Sequence, residues 1–315
     1  MVYIGIDVGG TGIKIGVVDE QGQLIHQGET PTLVGRPYQE IIADMGHCAL
    51  KVLDEAKLTV DDVHSVGIGI PGIADAKTGN VIFCTNMGWK DVPLRSELQK
   101  YINKPVFIDN DATVAGFAES VAGVSKGTSS SVFLTLGTGV GGGIILDGKI
   151  VSGFQGGGGE VGHLPVVRDA VRSCNCGKAD CVELAGSATG VLNCAKQLLS
   201  ETDEPSAMRD IENLSAKDVC DCCAAGDALA QKCIDRAADA LGTALACIGC
   251  IVNPEAFLFG GGMAAAGDIL LEPIGRVYNA KVFPPLRGTP ILQATLGNEA
   301  GITGAVRLVQ IEQQA

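Results

Sequence analysis

Residues 2–25, VYIGIDVGGTGIKIGVVDEQGQLI, alternate apolar and polar up to a Gly-rich turn, resume as IKIGVVD, and break again at EQGQ. A period of two predicts a strand, a tight GGTG turn and a second strand. Residues 131–151, SVFLTLGTGVGGGIILDGKIV, repeat the plan, with a strand entering a Gly-Thr-Gly turn and another leaving toward an Asp-Gly turn. The letters agree weakly and the pattern agrees well, which points to two duplicated halves. Glycine at each turn is what a tight hairpin needs. Two such turns at corresponding places, each with a Thr hydroxyl, also offer concave cradles of backbone N–H groups, and two facing cradles suit a polyphosphate. Each turn leads into a strand and not directly into a helix, which disfavours a dinucleotide-binding Rossmann fold.

Elsewhere the period lengthens. YQEIIADMGHCALKVLDEA reads as a helix, VHSVGIGIPGIAD as a strand running into the Pro-Gly turn that holds Gly72, and PVFIDNDATVAGFAESVAG as strand, polar loop and helix. AFLFG reads as a strand ending at Gly260, Gly261 and Gly262. MAAAGDILLEPIG follows as a helix whose N-terminus and small residues would admit a phosphate or a nucleoside. GSATGVLNCAKQLLS, AGDALAQKCIDRAADALGTALACIGCIVN and GITGAVRLVQIE also read as helices, and SETDEPSAMRDIENLSAKD as a surface excursion. The alternation is that of an α/β protein, and 315 residues exceed what one core usually supports. A domain boundary is expected near residue 118, although no low-complexity linker marks it.

Composition narrows the partners. Aromatics are 4% of the chain against 46% hydrophobic residues, so aliphatic side chains must do the packing. With 36 acids against 23 bases and no dense basic run, a phosphate backbone would be repelled, which excludes a nucleic-acid partner. An anionic substrate must then be met by local donors or a metal ion. The N-terminal stretch lacks a basic n-region and carries Asp7, and no run of 18 apolar residues occurs elsewhere. Neither a signal peptide nor a membrane span is expected, the location expected is cytoplasmic, and the 12 cysteines are expected as thiols or metal ligands.

Candidate chemistry concentrates in two places. In GEVGHLPVVRDAVRSCNCGKADCVE, His163, Cys174, Cys176 and Cys181 lie between Glu160 and Glu183. Three thiolates and an imidazole form a full tetrahedral set for a closed, structural Zn²⁺ site, with unliganded thiols as the alternative. Cys220, Cys222 and Cys223 have no nearby His, and Cys247 and Cys250 sit on an apolar helix, so these read as buried small hydrophobes. The second place is VFIDNDAT. A carboxylate just past a strand's carboxyl end can take a proton from a substrate hydroxyl, or Asp111 or Thr113 can merely cap the following helix.

These residues resemble the ROK sugar kinases, and among them the bacterial glucokinase type. Asp7, Gly9, Gly10, Thr11 and Lys14 match the phosphate motif D-x-G-G-T-x-x-K, and Gly137, Thr138 and Gly139 match its second phosphate motif. Asn110-Asp111 matches the Asn-Asp pair that carries the catalytic base. Glu160, Gly162 and His163 match the sugar motif, and Cys174, Cys176, Gly177, Cys181 and Glu183 the cysteine motif. Gly260, Gly261 and Gly262 match the adenosine-side glycines, and Asn86, before a Gly-Trp pair, resembles a sugar-contacting Asn. Asp180 stands where a Gly commonly precedes the last Cys, and LAGSATG replaces a more usual small-residue run.

The resemblance covers nearly the whole chain. It implies the two-lobed actin-like ATPase and sugar kinase fold, a duplicated ribonuclease H-like architecture with an inter-lobe cleft. Residues 1–118 with 297–315 would form the small lobe, and 119–296 the large lobe with the zinc loop. It implies ATP with Mg²⁺, a structural Zn²⁺ on His163 and the three cysteines, and Asp111 as base. Gly72, Asn86, Asn110, Asp111, Glu160, His163 and Glu183 would meet the hexose, and a homodimer or homotetramer is implied. Glucose is the hexose expected, with N-acetylmannosamine, fructose or allose as alternatives. The family also includes sugar-responsive repressors, but with Asp7 six residues from the start no helix-turn-helix is expected ahead of it.

Overall fold

The computed structural model describes residues 1–168, 170, 172–297 and 300–312. The first alternating stretch folds as β1 (Val2–Val8) and β2 (Gly12–Asp19), antiparallel, with Asp7 opposite Lys14. The chain continues through β3 (Leu24–Pro31), α1 (Tyr38–Glu55) and β4 (Val63–Ile70), which lies parallel to β1. A small antiparallel sheet of β5 (Ile73–Asp75), β6 (Asn80–Cys84) and β7 (Trp89–Val92) follows. Then α2 (Leu94–Leu98) leads to β8 (Val106–Asn110), parallel to β4, and on into α3 (Asp111–Ala122). The main sheet has the order β3-β2-β1-β4-β8.

The second half opens with β9 (Ser131–Leu136), β10 (Val140–Leu146) and β11 (Lys149–Ile150), again antiparallel. Four helices follow: α4 (Glu183–Gly186), α5 (Ala188–Glu201), α6 (Ala216–Ala224) and α7 (Ala228–Val252). β12 (Ala256–Gly260) lies parallel to β9, α8 (Asp268–Lys281) crosses over, β13 (Ile291–Gln293) lies parallel to β12, and α9 (Ala300–Glu312) ends the described chain. The order β11-β10-β9-β12-β13, with the same strand directions, repeats the first sheet, so the paired hairpins do mark duplicated halves.

Each half has its own core. Ile4, Ile6, Ile13, Ile15, Ile68 and Met45 are fully buried in one, and Phe257, Phe259, Leu241 and Tyr278 in the other. The central strands are apolar on both faces because helices cover both. α9 returns to the first sheet at close range: a Cβ on Gly67 would lie 1.7 Å from the Ala305 carbonyl oxygen, and one on Gly5 2.5 Å from that of Ile302. Only glycine on the strands lets the helix backbone approach so near.

Residue 118, near which the boundary is expected, lies inside α3. Three expectations are corrected. The stretch after Gly262 is a short 3-10 turn (Gly262–Ala266) broken at Gly267, where φ is +56°, and α8 begins only at Asp268. Cys247 and Cys250 are exposed, on the outer side of α7, whereas Cys220, Cys222 and Cys223 are buried as small hydrophobes. The surface excursion closes with the start of α6, fixed by a reciprocal Ser215–Asp218 capping box. Among the described residues no helix is long and apolar enough to cross a membrane.

Candidate active site

The β8–α3 junction orders its polar residues by division of labour. Asn110 has extended backbone and is the N-cap of α3, its Oδ1 accepting the N–H of Ala112 at 2.9 Å and of Thr113 at 3.1 Å. Its Nδ2 donates to the Gly72 carbonyl at 3.0 Å, tying the Pro-Gly turn to the helix start. Asn110 therefore takes the capping role that the sequence suggested for Asp111 or Thr113. The buried Asp109 accepts from Ser152 Oγ at 3.0 Å, which binds β8 to the segment after β11.

Asp111 is left facing the space between the halves, with one carboxylate oxygen accepting the Ala112 N–H at 2.8 Å. Burial pushes its pKa up to about 6, the Ala112 N–H pulls it down, and the carboxylates of Asp7 and Glu160 push it up further. Such a carboxylate is ionised at neutral pH yet basic enough to accept a proton.

Two cavities meet at this residue. One, of about 400 Å³, is lined by Asp7, Lys14, Phe133, Gly260, Gly261, Gly262, Ala294 and Gly301. The other, of about 520 Å³, is lined by Gly72, Asn86, Asn110, Gly137, Thr138, Gly139, Glu160, His163 and Glu183. Asp111 and Thr135 line both. In the first cavity burial raises the Asp7 pKa and the Lys14 ammonium opposes that rise. Gly9, Gly10 and Thr11 form the β1–β2 turn, where the Gly9 N–H donates to the Gly12 carbonyl at 2.9 Å, but they line neither cavity.

The sulfur-rich loop gathers its four candidate ligands. One ligand atom from each of His163, Cys174, Cys176 and Cys181 lies within 4.8 Å of the others. His163 Nδ1 is 3.6 Å from Cys174 Sγ, and the sulfurs of Cys176 and Cys181 are 3.5 Å apart. Ligands on arms of 2.0–2.3 Å around a tetrahedral Zn²⁺ are separated by about 3.5–3.8 Å, and these two pairs match that spacing. Nε2 of His163 turns the other way, 3.7 Å from Glu160 Oε2 and into the second cavity. Glu183 accepts from Cys174 Sγ at 2.8 Å and packs over Gly139, where a Cβ would meet its Oε2 at 2.7 Å. Thus one loop presents Glu160, His163 and Glu183 together.

Sequence reasoning missed Thr135, Phe133, Glu119, Ala294 and Gly301 as cavity walls. Thr135 had a signal, a hydroxyl late in an apolar strand, and so did Glu119, an acid among small apolar helix residues. Ala294 and Gly301 had none, because only the tertiary fold brings them near Asp7.

The ROK family profile matches residues 3–312. A glucokinase of Halalkalibacterium halodurans is 36% identical, over 99% of this chain and 96% of its own. The structure is similar to that of a ROK-family glucokinase from Streptomyces griseus in complex with glucose and AMPPNP. Its TM-score is 0.82 at 31% identity, covering 98% of this chain and 99% of that one. It is also similar to a ROK-family transcriptional regulator, a homolog of the E. coli MLC protein. There the TM-score is 0.89 at 25% identity, covering 98% of this chain and 78% of the regulator.

Proposed function

This chain belongs to the ROK family, and we propose that it transfers the γ-phosphoryl group of ATP to a hexose, glucose being the preferred acceptor at its 6-hydroxyl. The observation that carries the reading is Asp111, raised to about 6 and standing where a glycine-walled cavity meets one rich in polar side chains. The hexose occupies the second cavity, where Asn86, Glu160, His163 and Glu183 meet its hydroxyls. A neutral polyol suits carboxylates and an imidazole. The nucleotide enters past Gly260 to Gly262, with its phosphates directed toward Lys14 and the Gly137-Thr138-Gly139 turn, and the Gly9-Gly10-Thr11 turn closes from the other half.

Asp111 takes the proton of the acceptor hydroxyl as its oxygen forms the new bond to the γ-phosphorus. The bond to the bridging oxygen breaks and ADP departs with the electron pair. The Asp7 carboxylate raises the proton affinity of Asp111, a crowding of carboxylates that favours a cation between them. Asp7 would hold Mg²⁺, which supplies charge neutralisation for the phosphates. His163, Cys174, Cys176 and Cys181 would hold a closed Zn²⁺ that fixes the loop and the imidazole tautomer and takes no part in bond-making.

The test is an ADP-release assay with MgATP across glucose, N-acetylmannosamine, fructose and allose. The highest kcat/KM is expected for glucose. Release of no ADP with any of the four overturns the kinase reading and favours transcriptional regulation, the role of the similar regulator.

A further inference from the structure

Glu119 is a fully buried carboxylate in an acidic chain, near the C-terminal end of α3, where the helix field opposes a negative charge. Four donors hold it. Its Oε1 accepts the N–H of Thr295 at 2.9 Å and of Leu296 at 2.7 Å, and its Oε2 accepts the N–H of Val124 at 2.9 Å and the Thr295 hydroxyl at 3.2 Å. Thr295 and Leu296 belong to the segment that runs from β13 toward α9. The neighbours of that pair, Ala294 and Gly297, wall the first cavity, and so does Glu119 itself. Eight residues separate Glu119 from Asp111 along the same helix, about 12 Å of rise.

We infer that Glu119 is a positioning residue that pins residues 294–297 as one wall of the nucleotide cavity at a fixed distance from Asp111. The helix acts as a ruler, with Asp111 at one end in the cleft and the carboxylate that grips the wall near the other. Removing a buried acid so fully supplied with donors would orphan backbone N–H groups next to the ligand. This inference rests on the nucleotide assignment of that cavity.

The experiment measures binding of AMPPNP with Mg²⁺, and separately of glucose, by titration calorimetry, alongside thermal unfolding. Glu119→Gln keeps the size but turns one acceptor into a donor that faces donors. AMPPNP binding is expected to weaken by about 10- to 100-fold while glucose affinity holds. Thr295→Val removes one hydroxyl contact and leaves the backbone bonds, so a shift in the same direction but smaller is expected, and it decides the matter if Glu119→Gln does not fold. Unchanged AMPPNP affinity in the variants overturns the inference. So does a parallel loss of both affinities with the melting temperature, which marks a purely structural role. Failure of the unaltered protein to bind AMPPNP at all overturns the nucleotide assignment instead.

Discussion

The two cavities that meet at Asp111 are walled by different materials. Around the first, Gly260, Gly261, Gly262, Ala264, Ala294 and Gly301 leave mostly backbone and small side chains to shape the space. Around the second, Asn86, Asn110, Glu160, His163 and Glu183 put side-chain donors and acceptors into it. A backbone wall is strict about volume and tolerant of the ligand's hydroxyl pattern. A side-chain wall reads that pattern, but only if something holds the side chains still, and on the proposed reading the four-ligand loop would do so. Damage to each side should therefore show in a different kinetic constant.

The largest effect is expected at the shared wall. Asp111→Asn removes the proposed proton acceptor and should lower kcat by about 10²- to 10⁴-fold with both affinities nearly kept, as steady-state kinetics and equilibrium binding would show. Folding raises the pKa of this carboxyl, so its contribution to stability is present below the unfolded value of 3.8 and is lost as pH rises through about 6. Asp111→Asn should therefore melt higher than the parent above pH 6.

Cys176→Ser should raise the hexose KM by about 10- to 100-fold and lower bound zinc, with the ATP KM little changed. If metal analysis shows zinc lost while the hexose constants stay normal, the loop is not what steadies that wall. On the backbone side, Gly261 has φ +83° and a Cβ there would lie 2.5 Å from the Leu136 carbonyl oxygen. Gly261→Ala should raise the ATP KM about tenfold and spare the hexose constants, reflecting a strain of about 1–3 kcal/mol. The mildest test is pH: the parent's kcat should be full above and half-lost at about 6 as Asp111 takes up its proton. A profile flat down to pH 5 would remove Asp111 from the role of base.

Much of this contrast was legible in the chain. The two Gly-turn hairpins, α1, the four clustered metal-ligand candidates and the acid after β8 all announce themselves within short windows, because hairpins, helices and chelating loops are local objects. What escaped was non-local. Glu119 finds its partners 176 and 177 residues away, and no local pattern encodes such a meeting. The N-cap, expected at Asp111 or Thr113, falls at Asn110 because Asp, Asn and Thr all cap well, and only the extended backbone of Asn110 decides among them. The helix drawn from Met263 failed because Gly267, inside an otherwise apolar run, adopts a left-handed conformation that ends one turn before another begins.

The returning helix α9 has a consequence for how the molecule comes into being. A ribosome releases Gly5 and Gly67 long before Ile302 and Ala305, the residues whose backbone settles onto them. The amino-terminal sheet thus waits, with a bare apolar groove, until nearly all of the second half has been synthesised. Of the two halves, the one made earlier is completed later.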